Sequence, residues 1–371
     1  MTRLLVLLMG ALAMAGCTAA RLDQPGREAV AFLKLPAGFR AEILVDKVPN
    51  ARSMALGDKG TLFIGTRTGG TVYAVRDVFG ARPLVQKFAE GLAMPNGVAF
   101  HNGALYVAEQ KRIIRYPGAE DGRVGPRSPE VVDPALPYKG MLHSWKYLAI
   151  GPDNKLYVPV GAPCNVCVEP GFGVILRMNL DGSGREVVAS GIRNSVGLDW
   201  QPGTRQLWFT DNGRDILGDD VPACELNRVE RTGLDFGFPY CHAGDIPDPQ
   251  FGAGGRCSDA VAPVQKLGPH VAPLAVKFYT GRMFPAKYQD QVLIAEHGSW
   301  NRSKEAGKTG YRITLVRLEG NSAVAYEPFI EGWLNGDEVL GRPVDLLVAP
   351  DGSLLVSDDQ RGVIYRISYR G

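Results

Sequence analysis

The 371-residue sequence predicts an all-β fold and, within that class, a six-bladed β-propeller. Three observations carry this. One hairpin pattern recurs in six copies, each copy runs on into a further strand, and helical periodicity is nearly absent after the N-terminus. Strands returning at intervals of roughly 40 to 60 residues mark radial repetition, which leaves only short, protected sheet edges. A pair of β-sandwiches is the competing architecture, but it gives no reason for the same hairpin to appear six times.

In chain order, the first element is MTRLLVLLMGALAMAGC. Arg3 precedes an apolar run of roughly a dozen residues, too short for a membrane span, that ends in small residues at Cys17. This is the pattern of a secretory signal, and Met14-Ala15-Gly16-Cys17 is close to a bacterial lipobox, in which the cysteine becomes the lipidated first residue. An ordinary cleaved signal with an incidental cysteine is the plainer alternative. The expectation is a signal over 1–17, a linker over 18–34, and a protein on the periplasmic side of a bacterial envelope, anchored at Cys17. No later apolar run is long enough to span a bilayer, so membrane contact is expected through that lipid alone.

The repeat region, 35–371, is expected as a single domain. Its hairpins are ALGDKGTLFIGT around Leu62, GVAFHNGALYVAE around Leu105, LAIGPDNKLYVPVG around Leu156, LDWQPGTRQLWFTD around Leu207, FPAKYQDQVLIAEH around Leu293 and LLVAPDGSLLVSDD around Leu354. Each has a turn of Gly, Asp, Pro or Asn between short apolar and aromatic runs, the chemistry of tight hairpins. The following strands are GGTVYAV, RIIRY, GVILRMN, ELNRV, YRITLVRL and GVIYRIS. One interval breaks the rhythm: the stretch near 211–270, with DNGRDILGDDVPACELN and a Gly- and Pro-rich run, reads as an elaborated loop region. Such loops cluster at a propeller's mouth, where ligands bind.

Net charge is +2 with both signs mixed along the chain, which excludes a nucleic-acid surface built on clustered cations. Five cysteines follow Cys17, and an exported protein meets an oxidising compartment. Cys164 with Cys167 and Cys241 with Cys257 are the natural local pairs, leaving Cys224. A zinc site is the competing reading of Cys164-x-x-Cys167, but no second CxxC or HxxxH stands nearby.

Polar residues recur at equivalent points of the repeats. His143 precedes the LAIGPDNKLYV hairpin, Arg193 and Asn194 precede GLDW, and Arg342 precedes PVDLLVAPDG. The fifth repeat supplies His297, Asn301 and Arg302 after its central strand. In a propeller these points converge on the axis. A neutral imidazole there is suited to general-base work near pH 7, and guanidinium forks suit an anionic ligand.

The same residues carry a resemblance. HSWKYLAIGPDNKLYV, GIRNSVGLDW, TDNGRDILGDD with ELNRV and DFGFPYC, EHGSWNR, and GRPVDLLVAPDGSLLVSDD make the chain similar to the soluble pyrroloquinoline quinone (PQQ)-dependent aldose dehydrogenases, and more so to their sorbosone dehydrogenase-like branch. The resemblance runs from LPAGFRAEIL at Leu35 to VIYRIS. It implies that His143 takes the substrate hydroxyl proton while hydride passes to PQQ, and that Arg193 and Asn194 contact the quinone. Arg193 stabilises its developing charge. Arg342 matches a PQQ-binding arginine. Gly213 and Arg214 fall where two main-chain carbonyls hold Ca²⁺, and Glu225 matches a ligand of a second, structural calcium. The substrate implied is a small sugar or hydroxy-aldehyde, with a quinone or cytochrome-type electron acceptor.

The chain departs from the pattern at four places. Leu142 stands where glucose-oxidising members carry an aspartate, which points away from glucose. The PQQ-binding lysine has no match, and Arg302 or His297 is expected to supply its charge. Val344 replaces a second arginine, and Phe236 replaces a tyrosine of the structural-calcium site. The Cys164-x-x-Cys167 pair is a feature of the sorbosone-like branch. Two other functions share the fold class: a calcium-dependent gluconolactonase-like hydrolase, and a non-catalytic envelope propeller that binds a partner.

Overall fold

The computed structural model describes residues 30–122 and 128–371. The signal, Cys17 and most of the expected linker lie outside the described residues. Those residues contain no α-helix, only strands, turns and three short 3₁₀ segments.

The strands form six blades. Blade 1 is Ala51–Leu56, Leu62–Thr66, Val72–Arg76 and Leu84–Ala89, and blade 2 is Gly97–His101, Ala104–Ala108, Ile113–Tyr116 and Glu130–Asp133. Blade 3 is Ala149–Ile150, Leu156–Val160, Val174–Met178 and Glu186–Ser190; blade 4 is Leu198–Trp200, Leu207–Asp211, Ala223–Val229 and Gln265–Pro269. Blade 5 is Pro273–Phe278, Val292–Glu296, Arg312–Glu319 and Ser322–Ile330. Blade 6 takes Pro343–Val348, Leu354–Asp358 and Val363–Tyr369 from the C-terminus and its outermost strand, Phe39–Val45, from the N-terminus. Phe39 pairs with Tyr369 and Ala41 with Ile367, so the two chain ends close the ring.

The predicted hairpins are the first two strands of each blade. The second strands, Leu62–Thr66, Leu156–Val160 and Val292–Glu296 among them, are buried throughout. Neighbouring blades cover both faces, which is why these strands read as continuous apolar runs bounded by turns. In blade 2 the turn is Asn102-Gly103, both with positive φ of 48° and 74°, the twist a two-residue hairpin needs. Blade-to-blade contacts are apolar: Leu293 and Ile313 of blade 5 belong to one cluster with Val356 and Tyr365 of blade 6. Each such buried Leu, Val or Ile contributes roughly 1.5–3 kcal/mol.

Two sequence expectations are corrected here. The region near 211–270 is not all loop, because it holds the third and fourth strands of blade 4. The insertion proper runs between them. It places Leu234–Asp235 parallel to Ala189 and Ser190 of blade 3, adds a small hairpin, and is tied by the Cys241–Cys257 disulfide. The end of the expected linker is also not a linker. Val30 and Leu33 are buried in the cluster around Trp333, and Lys34 pairs with Glu331, so residues 30–34 pack as part of the propeller.

Candidate active site

Side chains from the starts of first strands and the ends of second strands meet around the propeller axis, where they line a cavity of about 340 Å³. That is within the range of small-molecule sites. Leu274 and Trp145 of its lining pack in one apolar cluster with Val196 and Val344. Leu142 and Trp300 stand at its lining, 45% and 72% exposed.

His143 enters from the segment before blade 3. It holds a φ of +50°, an uncommon conformation for a residue with a side chain, and is buried. Its Nδ1 is 2.7 Å from the carbonyl oxygen of Ala162, which only accepts, so Nδ1 carries the proton and Nε2 presents a lone pair. Burial, and then the charge of Arg193, push the imidazole down from 6.5 to about 3, so it is neutral across the physiological range. The ring stands edge-on to Trp145, 6.2 Å between centroids.

Arg193 and Asn194 precede the first strand of blade 4, and the Asp211 carboxylate accepts both their main-chain N–H groups at 2.8 and 2.6 Å. The Arg193 guanidinium donates Nε–H to the Asn165 carbonyl, Nη1–H to the Asn212 carbonyl, and two Nη2–H to Asn165 Oδ1 and Asp215 Oδ2. Four of the five donors are thus held by the protein and one Nη1 proton is left for a ligand. Gly161 makes the site compact. A Cβ there would lie 2.8 Å from both Asn194 Oδ1 and the His143 Cβ.

The opposite wall comes from blades 1, 5 and 6. Arg52 donates to Asn96 and to Asp359, each at 2.9 Å. The Arg342 Nη1 lies 3.3 Å from His297 Nδ1; arginine can only donate, so the His297 proton is on Nε2, which bonds Asp359 Oδ1 at 2.9 Å. Arg342 also donates to the Tyr311 hydroxyl at 3.1 Å. Arg67 lies over the Trp145 ring at 4.3 Å, and its buried Nε has no hydrogen-bond partner. Burial and the neighbouring Arg52 lower its pKa. Four guanidinium groups, Arg52, Arg67, Arg193 and Arg342, therefore face one cavity against the carboxylates of Asp215 and Asp359. A cavity so charged favours an anion.

The TrAA12-like family model matches residues 177–370 of the chain. An uncharacterised protein of Borreliella burgdorferi is 32% identical over 357 residues, which is 92% of each chain. The chain belongs to the TrAA12-like family. Solved structures show the same fold. The holo form of the PQQ domain of a pyranose dehydrogenase from Coprinopsis cinerea has a TM-score of 0.76 at 19% identity, covering 91% of this chain and 97% of that one. The calcium structure of a Trichoderma reesei family AA12 protein has a TM-score of 0.79 at 19% identity, with the same coverage.

In this TrAA12-like protein His143, Arg193, Asn194, Gly213, His297 and Arg342 all line the one cavity, as their equivalent places in the repeats require. Arg302 does not. Its guanidinium is spent on the carbonyls of Gly307 and Ala306 in its own loop and on the Asp219 carbonyl and Asp220 carboxylate of the loop after blade 4's second strand, so the expectation that it faces the ligand is corrected. Arg214 turns its side chain to Asp248, which leaves only its main-chain carbonyl for a cation. Glu225 is buried away from the cavity opposite Asp211, and accepts from Ala243 N and Asn227 Nδ2 at 2.8 Å each. Among the described residues no three His, Cys, Asp or Glu side chains cluster as a metal site. Both expected disulfides are formed, and Cys224 is free and buried among the residues that line the cavity, its thiol pushed up to about 12 by burial.

Arg52, Arg67 and Asn165 escape a reading of the sequence by motif, and Asp215, though inside TDNGRDILGDD, receives no role from it. For Arg67 a signal was present: it directly follows the second strand of blade 1, as Asn212 and His297 follow those of blades 4 and 5.

Proposed function

We propose that this protein is a PQQ- and calcium-dependent oxidoreductase acting on an aldose or related hydroxy-aldehyde of the sorbosone type. The observation that carries the reading is the pairing of four guanidiniums with a neutral histidine whose Nε2 lone pair is free. A planar aromatic tricarboxylate such as PQQ suits this cavity in charge and size. The buried Arg67 Nε without a partner and the spare Nη1 proton of Arg193 are donors awaiting acceptors. Arg52, Arg67, Arg342 and Asn194 would hold the group, and the carbonyls of Gly213 and Arg214 would hold Ca²⁺ beside it. PQQ, when bound, supplies a hydride acceptor.

The chain's own residues do the rest. His143 Nε2 takes the proton of the substrate hydroxyl, and the Ala162 carbonyl keeps the imidazolium so formed in register through Nδ1. Arg193, immobilised by four hydrogen bonds, offers its remaining donor to negative charge developing in the cavity without having to reorganise. Trp145 and Trp300 wall the sugar. Electrons then pass to a quinone or cytochrome-type acceptor, and the protein works on the periplasmic side, lipid-anchored at Cys17. A hydrolase with an axial bare cation is disfavoured by the same arginines, which would repel it.

The test is titration of the metal-free protein with PQQ, with and without Ca²⁺, followed by cofactor absorbance, and then addition of aldoses and sorbosone. Calcium-dependent stoichiometric binding and bleaching by a sugar are expected. No binding at micromolar PQQ would overturn the reading.

A further inference from the structure

The loop that joins the second and third strands of blade 3 carries no regular structure, yet it supplies half of the hydrogen bonds to the guanidinium of Arg193. Both come from Asn165, the first residue inside the Cys164–Cys167 ring. Its main-chain oxygen accepts Nε–H at 2.9 Å and its Oδ1 accepts Nη2–H at 2.8 Å.

The rest of Asn165 is tied to the loop after blade 4's second strand. Asp215 N donates to Asn165 Oδ1 and Asn165 Nδ2 donates to the Asp215 carbonyl, each at 2.9 Å. The Asp215 carboxylate in turn takes Nη2 of Arg193 at 2.7 Å and Nδ2 of Asn301 at 2.7 Å. Loops of blades 3, 4 and 5 are thus cross-linked around one guanidinium, Asn165 joining the blade 3 loop to Asp215 and Asp215 joining it to Asn301 of blade 5. The amide accepts through its oxygen and donates through its nitrogen from one planar group. Aspartate would lose the Nδ2 donor and set a second anion against the Asp215 backbone. The short disulfide ring removes the freedom that a loop of this kind would otherwise have, so the amide stands ready before any ligand arrives.

We propose that Asn165, held in place by the Cys164–Cys167 ring, is a positioning residue for Arg193 and thereby sets how tightly the axial cavity binds an anionic quinone. The first half concerns the protein alone; the second rests on the function proposed above.

The experiment uses the full chain and the variants Asn165→Ala and Cys164→Ser/Cys167→Ser. Arginine-selective ¹⁵N labelling reads the Nε–H of Arg193 without ligand, the signal being assigned by its loss in Arg193→Lys. Hydrogen exchange of that Nε–H is expected to accelerate roughly tenfold or more in both variants, as the loss of hydrogen bonds to a charged group implies. In the same variants the Kd for PQQ is expected to rise roughly tenfold, and in an Arg193→Ala background Asn165→Ala should add nothing further, since the pair acts as a unit. Unchanged exchange in Asn165→Ala overturns the positioning role whatever PQQ does. Faster exchange with an unchanged Kd overturns the link to affinity. Failure of the wild type to bind PQQ overturns the proposed function and the affinity claim, and leaves exchange to decide the positioning role. Asn165→Ala keeps both cysteines, so it decides even where the double serine variant does not fold.

Discussion

The Nδ1 of His143 lies 2.7 Å from the carbonyl oxygen of Ala162, and this one contact fixes the tautomer of the ring. Ala162 is itself held, its N–H donating to the Arg193 carbonyl at 2.8 Å. The base and the arginine are therefore coupled through a single residue, and the Nε2 lone pair lies on the side of the ring away from the Ala162 carbonyl.

His143→Gln should cut kcat by about 10²–10⁴-fold, the usual contribution of a positioned base, while the Kd for PQQ changes by less than about threefold. Steady-state turnover and a PQQ titration on the same preparation check this. Near-wild-type kcat in the folded variant would remove His143 from the chemistry.

The same histidine makes stability depend on pH with a definite sign. Its imidazole takes a proton near 6.5 when unfolded and only near 3 when folded, burial being the first cause and Arg193 the second. Between those values the unfolded chain binds more protons, so the contribution is intact above 6.5 and is lost as pH falls toward 3. Wild-type Tm should therefore fall more steeply than that of His143→Gln as pH is lowered from 7 to 4. Parallel melting curves would contradict the buried, neutral imidazole.

The six hairpins were legible because their turns and buried second strands are local signals, as Asn102-Gly103 shows. The outer strands were harder. Leu84–Ala89 buries only Phe88 and carries little apolar pattern, and the strand Phe39–Val45 completes blade 6 only by pairing with Val363–Tyr369, more than 300 residues on. Site residues show the same division. His143, Arg193 and Arg342 stand out because the repeats align them. Arg302 misled because closeness in sequence to His297 says nothing of direction, and five residues on, the chain has turned to bond its own loop. Asn165 was hidden inside a cysteine motif whose spacing speaks only of sulfur.

Arg67 is where binding and stability should oppose each other. Its charge is partly buried, repelled by Arg52 and Arg342, and its Nε is unpartnered. Arg67→Met keeps an apolar stem on Trp145 and removes the charge. The ligand-free variant is expected to melt a few degrees higher, and its Kd for PQQ to rise roughly tenfold, as for loss of a charge-assisted hydrogen bond. A lower Tm together with an unchanged Kd would show that Arg67 serves the fold and not the ligand.

Gly161 tests the geometry of the whole site with one carbon atom. Its φ is not positive, so alanine meets no backbone strain there, and the effect of Gly161→Ala is steric. The new Cβ would stand 2.8 Å from Asn194 Oδ1 and 2.8 Å from the His143 Cβ, closer than real contacts allow, so one of the two must move. Asn194 has the freer side chain, whereas His143 is tied through Nδ1 to Ala162. Displacement of either by about 1 Å costs on the order of 10²-fold in rate when the reacting groups must meet in one geometry. Gly161→Ala should therefore lose most of its kcat, and its Tm should fall by the few degrees that overpacking against two buried side chains implies. Adding Asn194→Ala clears one contact and should restore part of the rate if the amide is what the methyl displaces. If Gly161→Ala turns over sugar like the wild type, His143 and Asn194 do not stand together around this glycine in the working protein.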